Sequence, residues 1–157
     1  MTLFAIFLLA SAAAAATGIV FKPGAWYDGL AKPGFTPPKW AFPVAWTTIY
    51  LLSAWAATRI AGSAVPTVAG SGMALGLWAA QIALNTLWTP LFFGARRMAL
   101  ALVCIVTLLV TVAAMAVEFA RIDAWAGAMI LPYLAWLGVA TALNWRIWRD
   151  NPGAAAG

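Results

Sequence analysis

The chain has 157 residues, of which 65% are hydrophobic and only 8% are charged, and its formal net charge is +5. Soluble domains carry about 25% charged residues, so a soluble fold of this size could not hide so much apolar surface. Composition therefore excludes a soluble protein and predicts an all-α integral membrane protein. The basic residues are scattered between apolar runs rather than gathered on one face, so we expect no nucleic-acid partner.

Two residue counts limit the chemistry of the chain. A single cysteine, Cys104, excludes an internal disulfide, and the sequence contains no histidine. Histidine is the commonest metal ligand, the commonest general base and the usual axial ligand of haem. We therefore expect no metal site and no required cofactor.

Five apolar runs are long enough to cross a bilayer, at about 20 residues per helix. We predict one domain, residues 1–157, built as a five-helix transmembrane bundle with spans near 3–21, 42–61, 72–93, 98–119 and 125–148. A short turn joins the second and third spans at 62–71. The Ala-rich first run also looks like a secretory signal peptide, but no Lys or Arg precedes it and it is long for a signal core, so we favour a retained span.

The basic residues fall unevenly on the two sides of this bundle. Arg59 and Arg121 lie on the side of the N-terminus. Seven lie on the other side, namely Lys22, Lys32, Lys39, Arg96, Arg97, Arg146 and Arg149. Because positive charge is retained in the cytoplasm, we expect a bacterial membrane protein with its N-terminus outside and its C-terminus cytoplasmic.

Span 3 has two different faces. Gln81 and Asn85 are four residues apart and share one face with Trp88, and buried amides need partners in lipid. Two roles remain open for them, hydrogen bonding between helices and contact with a ligand. The opposite face is a stripe of small residues that allows close approach of another span or of a second copy of the chain, and from it we predict a homodimer through Gly72, Gly76, Ala79, Ala80 and Ala83.

Two other spans offer aromatic side chains at helical spacing. Trp46 and Tyr50 share a face of span 2, and Tyr133, Trp136 and Ala140 share a face of span 5. Such stripes are more often helix packing than pockets. Together with the amides of span 3, however, they predict a flat, aromatic-lined slot for a planar apolar ligand with polar edges.

The long loop at 22–41 combines prolines with aromatic residues. Prolines prevent a helix over "KPGFTPP", residues 32–38, and Pro43 is tolerated in the first turn of span 2. The apolar side of the loop predicts a lid over the mouth of a cavity. The alternative is a loop that lies on the lipid headgroups.

Three segments resemble motifs of the TspO/MBR family, also called translocator proteins or peripheral-type benzodiazepine receptors. They are "WYDGLAKPGFTPPKWAFPVAW" (26–46), "NTLWTPLFFG" (85–94) and "AWAGAMILPYLAWLGVATALNWRIWRDN" (124–151). The resemblance covers nearly the whole chain, in order and with compatible spacing.

The resemblance implies a dimeric five-helix bundle that binds tetrapyrroles such as protoporphyrin IX and haem. Family members also bind cholesterol and synthetic ligands of the isoquinoline-carboxamide and benzodiazepine types. Carried over by motif, the ligand site would consist of Tyr27, Pro37, Trp46, Tyr50, Asn85, Trp88, Trp136 and Ala140. Animal members have a tyrosine in a sterol-recognition pattern near the end of span 5, where this chain has Trp145, so sterol binding through that pattern does not carry over.

Three functions fit this resemblance. The first is binding of tetrapyrroles, and of cholesterol or other lipids, for their transport or sensing. The second is light-dependent degradation of protoporphyrin IX, with Trp46 and Trp136 as candidate catalytic residues. The third is a sensor whose occupancy alters contacts with a protein partner. No span carries a ring of charges, so a channel is disfavoured.

Overall fold

The computed structural model describes residues 2–63 and 68–154, except for the side chains of 68–70. Helices fill most of this range, and no strand occurs within it. The long helices are α1 (Thr2–Val20), α3 (Ala41–Gly62), α4 (Val68–Thr89), α5 (Met98–Ile122) and α7 (Leu131–Asp150). Two short helices, α2 (Ala25–Asp28) and α6 (Ala124–Ala128), precede α3 and α7. The predicted all-α class is confirmed.

Three segments are long and apolar enough to cross a membrane: 2–20, 98–122 and 124–150. They correspond to the first, fourth and fifth predicted spans. The second and third predicted spans are also helical, over α3 and α4. The fold therefore provides a helix for each predicted span, but it has more helices than five because short ones lie between them. The middle of the predicted turn at 62–71, residues 64–67, lies outside the described residues.

Helix boundaries differ from the prediction at several ends: α4 begins at Val68, inside the turn predicted at 62–71, and α5 ends at Ile122 instead of 119. Prolines account for two further differences. The third span was expected to run to residue 93, but α4 ends at Thr89 and Pro90–Gly94 form a π-helical turn. Pro90 has no N–H to donate, and the wider turn closes with a bond from the Ala95 N–H to the Pro90 carbonyl at 2.7 Å. The fifth span is interrupted after α6, and α7 restarts with Pro132 in its first turn.

The core is built around α5, which packs against α4, α6 and α7, while α1 packs against α3 and α4. The inward face of α5 is apolar at helical spacing, with Ile105, Leu108, Val112 and Met115 all buried. Where α6 crosses α5 the backbones nearly touch, because a Cβ on Gly127 would lie 2.5 Å from the Cβ of Ala120. Only glycine fits at that crossing.

Asp123 joins α3 to the start of α6. Its carboxylate accepts hydrogen bonds from the N–H groups of Trp125 and Ala126, at 2.9 and 3.2 Å, and pairs with the Arg59 guanidinium at 2.6 Å. Burial raises the pKa of this carboxyl, but the hydrogen bonds and the Arg59 charge outweigh it, so the pKa lies below its ordinary value of 3.8. Asp123 thus stabilises the fold in its charged form.

Asp123→Asn should lower the free energy of unfolding at pH 7 by about 0.2–1 kcal/mol, because the pair is partly exposed and screened while asparagine still caps the helix. A lowered folded pKa means that the ionic contribution is present above the unfolded pKa and is lost as pH falls through the folded value. Equilibrium unfolding in detergent at pH 7 and in acid, below the folded pKa, measures the difference. An equal loss at both pH values would contradict an ionic role.

Candidate ligand-binding site

Two adjoining cavities open between α1, α3, α4 and α7. The first, here called the aromatic lobe, has a volume of about 430 Å³, and the second, here called the amide lobe, has about 410 Å³. Gly18, Pro43, Trp46, Trp88 and Thr89 line both lobes. Each volume falls in the range of about 300–1,000 Å³ that is typical of small-molecule sites.

Ring systems from three long helices and the long loop surround the aromatic lobe. Trp46 of α3, Trp88 of α4 and Trp136 of α7 face one another across it, with Tyr27 of the loop. Neighbouring rings brace these walls: Trp46 stacks on Tyr50 at 5.6 Å between centroids, and Trp88 stacks on Phe92 at 5.2 Å. Flat surfaces held in this way suit a planar apolar ligand.

The amide lobe rests on a buried hydrogen-bond network. The Asn85 Nδ2 group donates to the Tyr133 hydroxyl at 3.1 Å and to the Tyr50 hydroxyl at 3.3 Å. The Tyr133 hydroxyl in turn donates to the Gln81 Oε1 atom at 3.0 Å. Of the two roles left open for the span 3 amides, hydrogen bonding between helices is present in this network. Tyr50 and Asn85 also line the lobe, and contact of Asn85 with a ligand stays a prediction.

Trp88 belongs to a second buried chain of hydrogen bonds. Its Nε1 group donates to the Asn144 Oδ1 atom at 3.1 Å, and the Asn144 Nδ2 group donates to the Met98 carbonyl at 3.0 Å. This chain ties α4 to α7 and α7 to α5. The Trp88 ring is therefore a fixed wall of both lobes.

The long loop forms one side of the aromatic lobe through Pro23, Tyr27, Asp28 and Lys39. Lys39 pairs with Asp28 at 3.4 Å, and both side chains are largely exposed. Burial, and then the charge of Asp28, raise the pKa of the Tyr27 hydroxyl, which stays protonated at neutral pH. Among the described residues, the charged groups that line this wall are Lys39 and Asp28, and both side chains are largely exposed.

The side chain of Asn151 fastens the loop to the end of α7. Its Oδ1 atom accepts from the Ala31 N–H at 2.9 Å, and its Nδ2 group donates to the Ala31 carbonyl at 3.0 Å. The same Nδ2 group donates to the Ile147 carbonyl at 2.8 Å. One amide therefore satisfies both backbone groups of a loop residue and holds the loop over the bundle.

Seven of the eight residues predicted for the ligand site line these lobes. Pro37 does not line either of them, because the wall contributed by the loop comes from residues nearer its two ends. Sequence reasoning missed that α1 forms part of the wall, through Ala14, Ala15, Gly18 and Ile19, and it also missed lining residues of the loop and of the neighbouring helices. Small residues one turn apart on α1 were the available signal, since they leave space beside a helix.

The five small residues predicted for a dimer contact lie on the outside of the chain. All are exposed, whereas Ala74, Trp78, Gln81 and Asn85 on the opposite face of α4 are buried. A Cβ on Gly72 or Gly76 would meet nothing within 4 Å. No helix of the described part of the chain covers this stripe.

Within the described residues, no group of three or more acidic or cysteine side chains could hold a metal ion. The acidic side chains are paired instead with basic ones at helix ends, as in Arg121–Glu118 and Arg146–Asp150.

Comparison with known proteins identifies relatives over nearly the whole chain. The model of the TspO/MBR family matches residues 3–149. Protein CrtK of Rhodobacter capsulatus is 48% identical over 98% of this chain and 95% of its own. A tryptophan-rich sensory protein of Cereibacter sphaeroides is 48% identical over 95% of this chain and 91% of its own. The translocator protein of Sus scrofa is 41% identical over 84% of this chain and 78% of its own.

Tyr133→Phe should destabilise the bundle more than Tyr50→Phe. The first change leaves Gln81 without its donor and removes one acceptor of Asn85, at a site with no access to water, whereas the second removes only one of two acceptors beside a cavity. Hydrogen bonds between membrane helices contribute about 0.6 kcal/mol on average and up to about 1.7. Equilibrium unfolding in detergent micelles compares the two variants. A larger loss for Tyr50→Phe would show that the network does not depend on Tyr133.

Proposed function

The chain belongs to the TspO/MBR family, and from this premise we propose that it binds tetrapyrroles such as protoporphyrin IX and haem in the two lobes, for their transport or sensing. The observation that carries the proposal is the pair of adjoining lobes, walled by Trp46, Trp88 and Trp136. A planar macrocycle would stack on these rings.

The protein spans the membrane five times in this proposal, through α1, α3, α4, α5 and the α6–α7 segment. Support comes from contacts that gather the seven basic residues at one end: Arg96 lies over the Trp26 ring at 5.6 Å, and Asn151 holds Ala31. Arg59 and Asp123 pair at the other end. The richer end is proposed to be cytoplasmic, which a reporter fused to the C-terminus checks.

The carboxylates of the ligand are proposed to lie at the mouth, beside Lys39. This lysine is the basic residue on the wall of the aromatic lobe, and its present partner Asp28 is 3.4 Å away and largely exposed. A propionate can replace that weak pair at little cost. Deeper in the site, Asn85 and Tyr50 offer neutral hydrogen-bonding groups to the ring. The dimethyl ester of mesoporphyrin has no free carboxylate. If it binds with the same affinity as mesoporphyrin itself, the proposed contact between the carboxylates and Lys39 is wrong.

No cofactor is required in this proposal, and the tetrapyrrole is the ligand. With no histidine in the chain, recognition rests on the ring faces and edges rather than on iron. Metal-free protoporphyrin IX should therefore bind as haem does. The same apolar walls suit cholesterol or another flat lipid, whose single hydroxyl matches the neutral amide lobe.

Light-dependent degradation of protoporphyrin IX is the second candidate function. Its support is that Trp46 and Trp136 both line the aromatic lobe, where an excited porphyrin would contact oxidisable indoles. In this function the two tryptophans take part in the reaction as well as in binding. Illumination of the bound porphyrin, with the wild-type chain and with a Trp136 variant, distinguishes degradation from binding alone.

A homodimer through α4 is also proposed. The small-residue stripe is exposed along the helix, and stripes of this kind let helix backbones approach closely in membranes.

Titration with protoporphyrin IX in darkness should quench tryptophan fluorescence saturably. Trp46→Ala removes one stacking wall and should weaken binding by about 2–12-fold, the equivalent of one aromatic contact of about 0.5–1.5 kcal/mol. Trp125→Ala is the matched control, because Trp125 is 72% exposed and lines neither lobe. Quenching that never saturates would exclude tetrapyrroles from the function.

Illumination of the saturated complex then decides between binding and degradation. A binding protein leaves the porphyrin spectrum unchanged relative to Trp136→Phe at equal occupancy. If the porphyrin bleaches only when the protein is present, and if Trp136→Phe abolishes this bleaching while binding is retained, degradation is favoured over binding alone.

Gly76→Leu should weaken the dimer without unfolding the chain, because Gly76 is exposed, a Cβ there would meet no atom of the chain within 4 Å, and the added bulk would separate two copies packed on this stripe. Chemical cross-linking in nanodiscs, with the exposed Val103→Leu of α5 as the control, measures the dimer fraction. An unchanged dimer fraction would mean that the chains meet elsewhere.

A further inference from the structure

Trp136 separates the aromatic lobe from a second space on the outside of the bundle. This space, here called the lateral groove, has a volume of about 370 Å³ and lies between α3 and α7. Its apolar lining includes Ala45, Ile49, Ala135 and Val139. Trp136 is the residue that lines both the groove and the aromatic lobe. One indole therefore forms the partition between the interior cavity and the outer surface.

The indole of Trp136 is held less firmly than two other inner indoles. Its Nε1 group is buried and has no hydrogen-bond partner among the described residues. By contrast, Trp78 donates to Ser53 at 3.0 Å and Trp88 donates to Asn144 at 3.1 Å. The Trp136 ring packs edge-to-face against the Phe42 ring, at 5.4 Å between centroids. Turning this indole breaks no hydrogen bond.

Trp136 also lies close to a break between two helices. The helix is interrupted between Ala128 and Leu131, and Pro132 in the first turn of α7 has no N–H to donate. Trp136 lies one turn after this proline. Trp136 therefore lies in the first turns of α7 and not in the middle of an unbroken helix.

The groove faces hydrocarbon if α3 and α7 span the membrane. It carries no charged residue, and its rim residues Ala135 and Val139 are exposed on the surface of the chain. Leu131 and Val44 beside it are also exposed, at 59% and 56%. Such a surface is stable against lipid chains and unfavourable against water.

From these observations we propose that Trp136 is a gate through which flat apolar ligands pass directly between the cavity and the hydrocarbon core of the bilayer. The inference rests on the five-span arrangement of the proposed function. With a gate at Trp136, the cavity has two entrances of different chemistry. The loop entrance, fastened by Asn151, admits solutes from water, and the lateral entrance admits molecules dissolved in the membrane.

A thiol placed in the aromatic lobe tests the gate without any tetrapyrrole. Ala140 lines the aromatic lobe but not the lateral groove, so Ala140→Cys reports on access to the interior. The full chain in nanodiscs is treated with two methanethiosulfonate reagents. One carries a long alkyl chain that confines it to the bilayer, and the other carries a quaternary ammonium that confines it to water. The parent protein, with only the buried Cys104, measures background labelling.

Three further changes are combined with Ala140→Cys. Trp136→Ala should raise labelling by the bilayer-confined reagent by about 2–12-fold, the equivalent of one aromatic contact. Ala135→Phe fills the groove from its exposed side and should slow that reagent. Asn151→Ala, which frees the loop, should accelerate only the water-confined reagent.

Each outcome decides the proposal. Bilayer-side labelling that responds to Trp136→Ala and Ala135→Phe in opposite directions supports the gate. Labelling by the bilayer-confined reagent that ignores both changes, or that follows Asn151→Ala, overturns it. If Trp136→Ala does not fold, the effect of Ala135→Phe on labelling by the bilayer-confined reagent decides whether the gate exists. Because no porphyrin is present, failure of the gate leaves the porphyrin titration unaffected, and failure of that titration leaves the gate assay valid.

Discussion

The rest of the structure depends on the hydrogen bonds made by the side-chain amide of Asn85. It lies on α4 and donates to a tyrosine of α3 and a tyrosine of α7, while Gln81 completes the network. In an apolar bundle a buried amide without partners is costly, so these bonds specify which faces of three helices meet. They also lie directly beneath the amide lobe. The same atoms thus fix the helix arrangement and supply the floor of the cavity.

An open cavity in a membrane bundle requires helices that are held apart as well as together. On one side, aromatic rings braced by stacking and by the Trp88–Asn144 bond resist collapse. On the other side, the small residues Ala14, Ala15 and Gly18 of α1 leave space beside those rings. The loop contributes Tyr27 and Lys39 to the wall and is joined to the end of α7 by Asn151. These contacts together keep a cavity open inside the bundle.

Proline explains much of the difference between the predicted and observed helices. Periodicity predicted helix within each of the five long apolar segments, and each contains one, because hydrophobic spacing is a local property of the chain. It did not reveal the π-helical turn at Pro90–Gly94 or the restart of α7, since whether a proline kinks, widens or restarts a helix depends on what packs against it. Pro37 is similar: the loop motif suggested a ligand contact, whereas the described cavity walls come from residues nearer the loop ends.

The sequence by itself determined the all-α membrane class and the two faces of span 3, because burial of amides and rings in lipid follows from composition and helical spacing. Helical spacing also indicated six residues that line the lobes, namely Trp46, Tyr50, Asn85, Trp88, Trp136 and Ala140, and the motif resemblance added Tyr27. Only the tertiary structure decided which hydroxyl meets which amide, that α1 forms a cavity wall, and that Trp136 is a partition between two spaces. These are relations between residues distant in sequence. They depend on the distance and rotation of whole helices, which no local pattern encodes.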